Sequence, residues 1–165
     1  MQMTLVPILA VKNNGKGIIV KLELEMKQHG TGSLFLDAKL YTDNDIRKGL
    51  NTAFSLLHLR RQDVLVHVPG RKDYCICGGS LALPLYLGMY ACARGLELKP
   101  RTFATGCLDK KGKITPVGSL AEKIKLVLGK ADLLLVPKGQ GLPVEGMKIK
   151  EVSSLREAVN FATVK

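Results

Sequence analysis

Within residues 18–25 the chain alternates from residue 20 onward: Val20, Leu22 and Leu24 are apolar, while Lys21, Glu23 and Glu25 are charged. A period of two predicts a strand with one buried and one wetted face. The apolar residues 4–11 predict a neighbouring strand, and Asn13-Asn14-Gly15-Lys16-Gly17 has the composition of a tight turn. A loop at residues 30–32 leads to a third strand over residues 33–41. Thr42 and Asp45 have capping-box character and open a helix that ends near Leu59. Residues 64–68, short and β-branched, read as a buried strand, and residues 69–79 as a loop.

The second half switches period. Residues 81–94 are apolar almost all round, which marks a central buried helix. Pro84 falls in its first turn, where it is tolerated, and Gly95 ends it. Residues 102–108 and 113–117 predict two strands joined by the turn Asp109-Lys110-Lys111-Gly112. Ser119 and Glu122 form a second capping box for a helix to about Leu128. A buried strand at residues 133–136, a loop at 138–146, a strand at 148–152 and a helix capped by Ser154 and Glu157 complete the chain. Strands first, then strands alternating with helices, predict an α/β (α+β) fold with helices against a mixed sheet, residues 1–165 forming one domain.

Two positions carry candidate chemistry. Ser80 follows Gly78 and Gly79 and opens the apolar run. Read locally it is a helix N-cap. The same place suits a nucleophile, because a helix N-terminus offers unpaired N–H groups and the positive end of a dipole. Gly78 and Gly79 let the backbone approach a substrate and direct amides at a developing oxyanion. On the later helix, at about 100° per residue, Leu120, Ile124, Val127 and Leu128 share one arc. Lys123 falls between Leu126 and Val127, whereas Lys125 points away. Lys123 is either a snorkelling lysine or an amine whose charge is disfavoured by apolar surroundings, lowering its pKa so that it accepts a serine proton. Ser80 and Lys123, 43 residues apart, then form a candidate Ser–Lys dyad, with an amine in place of a triad histidine. Thr105, ahead of Gly106, is either an ordinary strand threonine or a hydroxyl that steadies the amine.

The formal charge of +11 and pI of about 9.6 point to a partner of opposite sign, such as nucleic acid, an acidic protein or an anionic surface, or to a soluble protein that is simply lysine-rich. Of the four cysteines, Cys92 reads as a reduced core residue. Cys75-x-Cys77 lacks zinc-knuckle spacing and no histidine cluster accompanies it, so no metal or cofactor is called for. Residues 81–93 are too short to span a bilayer and are interrupted by Pro84 and Gly88. Residues 1–11 read as a strand rather than a signal peptide. No membrane association and a cytoplasmic location are expected. No phosphate-binding Gly-x-x-x-x-Gly-Lys-Ser/Thr loop occurs.

The stretch from Thr105-Gly106 through the turn ending in Gly112, the strand Lys113-Ile114-Thr115, then Pro116-Val117-Gly118-Ser119 and Glu122-Lys123 resembles the proteolytic domain of Lon proteases. The interval from Ser80 to Lys123 matches that family, as do His67-Val68-Pro69 and Leu133-Leu134-Leu135-Val136-Pro137, so the resemblance covers nearly the whole chain. It implies a Lon proteolytic-domain fold, related to ribosomal protein S5 domain 2. It further implies a serine endopeptidase that cuts unfolded polypeptide, with Ser80 as nucleophile, Lys123 as general base and Thr105 in support. The Gly79 and Ser80 amides, at the glycine-flanked helix start, are the candidates read here for the oxyanion hole. A fused or separate AAA+ ATPase and a homo-oligomer, a hexameric ring, are the implied partners. The chain departs from the family at Leu81, bulky after the serine, at Cys77 and Cys107 in place of acidic residues, and at Leu65 in place of a histidine. The alternative is a non-proteolytic Lon-fold domain, as in RadA-type proteins, that binds nucleic acid or organises a ring. Arg60-Arg61, Arg71-Lys72 and the 110–113 turn would then meet phosphates.

Overall fold

A long hairpin organises the molecule. In the computed structural model, which describes residues 2–12, 14–41 and 43–164, strand β1 (Gln2–Lys12) pairs antiparallel with β2 (Gly17–Lys27), from Gln2 opposite Met26 to Val11 opposite Gly17. The turn residue Asn13, the cap residue Thr42 and the Cys77 side chain lie outside that description. The alternation read from the sequence holds: Val20, Leu22, Leu24 and Met26 are buried, and the charged residues between them are not.

The remaining elements follow as β3 (Leu34–Leu36), β4 (Leu40–Tyr41), α1 (Asn44–Ser55), β5 (Asp63–His67), β6 (Tyr74–Cys77) and α2 (Ala82–Arg94). Then come β7 (Glu97–Leu98), β8 (Thr102–Ala104), β9 (Cys107–Leu108), β10 (Ile114–Thr115) and α3 (Leu120–Val127). The chain closes with β11 (Leu133–Pro137), β12 (Lys148–Val152), α4 (Leu155–Ala162) and β13 (Thr163–Val164). Six strands form a mixed sheet in the order β3-β5-β2-β1-β6-β4, and β12-β11-β8 form a parallel three-stranded sheet. The architecture belongs to the mixed helix-and-sheet class that the sequence predicts.

Helix α2 is the centre of the larger core. Ten of its residues are buried, and each buried Leu contributes about 1.5–3 kcal/mol. It lies so close to β1 that a Cβ added at Gly88 would stand 2.2 Å from Val6 Cγ2. Gly95 ends it in the left-handed conformation, φ 65°. A second, smaller core forms where Ile124 and Val127 of α3 meet Leu9 of β1 and Leu134 and Val136 of β11. Helix α3 is thus packed against the outer side of the hairpin, and α2 occupies the larger core.

Several local expectations are corrected. Residues 33–41 are two short strands, because the Asp37 carboxylate turns the chain by accepting the N–H groups of Lys39 and Val68, at 2.9 and 2.8 Å. These two bonds, more than the Lys39 charge, hold the Asp37 carboxyl below its ordinary pKa. The first long helix is capped by Asp43, which accepts from Ile46 N at 2.8 Å, and the helix ends at Ser55 rather than near Leu59. The 69–79 loop contains β6, which pairs with β1 at Val11 and Lys12 and adds β4 on its other side. Residues 102–108 divide into β8 and β9 around Thr105-Gly106. Ser119 precedes α3 in a left-handed conformation, φ 56°, and makes no side-chain cap, so the Ser119–Glu122 box does not form. The Ser154 cap does form, accepting from Glu157 N. Among the described residues, no helix is long and apolar enough to cross a membrane.

Candidate active site

Ser80 stands in the turn that leads into α2, and three backbone bonds fix it. Gly106 N donates to the Ser80 carbonyl, Leu83 N donates to the Gly106 carbonyl, and Ala82 N closes the turn on the Gly79 carbonyl. Helix α1 braces the turn from outside. A Cβ at Gly49 would lie 3.3 Å from the Gly79 carbonyl oxygen, so glycine there permits the close approach. The N-cap position of α2 is Leu81, which has no side-chain cap. The Ser80 hydroxyl is therefore not spent on capping.

Lys123, in the second turn of α3, is 3% exposed. It does not snorkel. Its Nζ donates to Ser80 Oγ at 2.9 Å, which joins the two residues singled out in the sequence. On the same helix Lys125 pairs with Glu122 at the surface, 3.6 Å away, as the helical projection predicts. Ser80 itself is half-buried.

The supporting residues divide. Gly78 takes a positive φ of 93°, and its amide lies 3.4 Å from an Asp43 carboxylate oxygen. Asp43, which sequence reasoning passed over, thus caps α1 and steadies the glycine loop with one carboxylate. The signal for it was the polar run Asp43-Asn44-Asp45 ahead of a helix. Among the described residues, the Gly79 and Ser80 amides have no hydrogen-bond acceptor.

Thr105 does not do what was expected of its side chain. It is 1% exposed, yet its Oγ1 has no hydrogen-bond partner among the described residues. Its backbone does the positioning: Thr105 N donates to the Leu135 carbonyl and Gly106 ties to Ser80. The segment thereby links β11 to the Ser80 turn.

A cleft of about 480 Å³ lies beside the glycine turn, lined by Gly79, Cys107, Asp45, Lys48, Asp109 and Lys110 among others; it reaches Gly79, the neighbour of Ser80, while Ser80 and Lys123 themselves are not in its lining. Burial pushes the Cys107 thiol pKa up, against a lowering by the Lys123 charge and with a further rise from Asp45. Among the described residues, no cluster of His, Cys, Asp and Glu is placed to hold a metal ion.

No protein-family model matches the chain, and no curated protein matches it.

Proposed function

We propose that the chain is a serine endopeptidase of Lon type, in which Lys123 is the general base for Ser80. The observation that carries this reading is the 2.9 Å contact between a buried lysine amine and a half-buried serine hydroxyl, one residue from the Gly79 wall of a cleft. A general base needs about 2.6–3.2 Å to the atom it deprotonates. Burial takes away the hydration that stabilises an ammonium, which favours the neutral amine that a base must be.

In this reading Lys123 removes the Ser80 proton as Oγ attacks the scissile carbonyl carbon. The Gly79 and Ser80 amides are the candidates to receive the oxyanion. The protonated amine then delivers its proton to the leaving nitrogen, and the C–N bond breaks to leave an ester on Ser80. Water, deprotonated by Lys123, attacks that ester, and Ser80 regains its proton as the acid product leaves. An extended segment of unfolded polypeptide is the substrate that the cleft along β9 suits. Assembly as a ring and service by an AAA+ ATPase belong to the same proposal.

The second reading, a non-proteolytic domain that binds nucleic acid, is favoured by the exposure of Arg60, Arg61, Arg71, Lys72, Lys110, Lys111 and Lys113. One experiment separates the two. The protein is incubated with a peptide boronate and with a peptide β-lactone, and adducts are mapped by mass spectrometry in the native chain, Ser80→Ala and Lys123→Ala. An adduct on Ser80 that is absent from both variants is the expected result. A folded native protein with no adduct, and with salt-dependent binding of DNA, would replace the first reading with the second.

A further inference from the structure

A cleft of about 1000 Å³ lies on the outer side of the hairpin, and neither Ser80 nor Lys123 lines it. Its existence follows from the register. On the outward face of the sheet, Leu9 and Ile19 stand opposite each other and are covered by the smaller core. Two residues further along, Pro7 faces Lys21, and then Leu5 faces Glu23. The smaller core does not reach that far. Leu5 is left 50% exposed, and the segment from Leu98 to Phe103 forms the opposite wall.

The lining has two parts. Leu5, Ile19, Leu98 and Phe103 make an apolar floor, and Lys21, Lys99, Arg101 and Lys130 surround it. Among the described residues, no carboxylate belongs to the lining. Asp132 pairs with Arg101 at 3.0 Å. Lys21, Lys99 and Lys130 have no ion-pair partner among the described residues. Glu23 stands across from Leu5 at one end, and the charged residues of the lining itself are all cations; such a surface is complementary to a ligand that is apolar at its centre and anionic at its edge.

We infer that this cleft docks an acidic amphipathic peptide segment of a partner protein, its apolar side chains on Leu5 and Phe103 and its carboxylates on the lysine rim. A nucleic acid fits less well. It would bring its charge to the rim, but it would leave the aliphatic floor uncovered, and Phe103 and Tyr74 supply too few rings for successive bases to stack. The inference does not depend on the peptidase reading.

The test is fluorescence anisotropy on the full chain carrying Ser80→Ala, so that no probe is consumed. The probe is a short fluorescein-labelled peptide of Glu, Leu and Phe with its apolar residues on one helical face. A scrambled peptide and an oligothymidylate of equal charge serve as comparisons. Saturable binding of the amphipathic probe is expected, with the other two weaker by about tenfold. The double reversal Lys21→Glu/Lys130→Glu should weaken it by about tenfold or more, and Leu5→Ser by about fivefold. Reversal of exposed charges elsewhere, Arg60→Glu/Lys111→Glu, should leave it within about twofold once ionic strength is matched. All these positions are exposed, and circular dichroism checks that each variant is folded. No saturable binding would overturn the inference. Equal binding of the scrambled peptide or the oligonucleotide, or equal loss in both double variants, would also overturn it, because the surface would then be a diffuse polyelectrolyte.

Discussion

The Gly106 N–H donates to the Ser80 carbonyl at 3.1 Å, so the candidate nucleophile is held by its backbone and its hydroxyl is left for other work. Ser80→Ala should abolish peptide cleavage while cooperative unfolding is retained. The check is hydrolysis of a fluorogenic unfolded substrate alongside a denaturant melt. Loss of activity together with loss of the unfolding transition would mean that Ser80 is structural.

Lys123→Met keeps the length and apolar stem of the side chain and removes the amine. Cleavage should fall by about a hundredfold or more, the scale of a missing general base, with little change of fold. A base must be unprotonated, so kcat/KM of the native chain should rise with pH to a plateau. The residual rate of Lys123→Met should not follow that limb. A rising limb of equal size in the variant would assign the titration to another group.

Thr105 carries a buried hydroxyl with no hydrogen-bond partner among the described residues, and such a group costs about 1–3 kcal/mol. Thr105→Val should therefore raise stability by about 1 kcal/mol, read as a higher denaturation midpoint. If the hydroxyl is retained because it engages Lys123 during turnover, the same variant should lose cleavage activity. A stabilised and fully active Thr105→Val would remove Thr105 from the mechanism.

Asp37 links β3, the Lys39 turn and the end of β5, and its carboxyl titrates below its ordinary value because it accepts the Lys39 and Val68 N–H groups. The folded pKa is lower than the unfolded one. Its contribution is therefore complete above the unfolded value of about 3.9 and is lost as pH falls through the folded value. Asp37→Asn should cost about 1–3 kcal/mol at neutral pH and flatten the loss of stability below about pH 4, as followed by urea melts across a pH series. Parallel acid limbs in the two proteins would show that Asp37 does not supply the slope.

Most of the long elements were legible because they state one rule over many residues. The alternation of Val20, Leu22 and Leu24 and the apolar circumference of α2 need no tertiary information. The Ser80–Lys123 contact was legible in part, since a helical projection already put Lys123 among apolar neighbours. What was not legible is decided by single contacts. Asp37 divides one expected strand because two distant amides reach its carboxylate. β6 exists because its backbone meets the last residues of β1. Asp43 caps the first long helix, and the Thr105 hydroxyl, expected on the amine, is buried with no hydrogen-bond partner among the described residues. Spacing suggests such contacts but cannot choose among them.

Ser80 leads into the helix of the larger core, and Lys123 rides on the helix of the smaller one. The bond between them is therefore a gauge of alignment between two packed layers that share the strands β1 and β11. A partial opening that lifts α3 from the hairpin would switch the pair off while α2 and its sheet stay folded. Catalytic competence would then be lost before cohesion, in milder denaturant than the global transition requires.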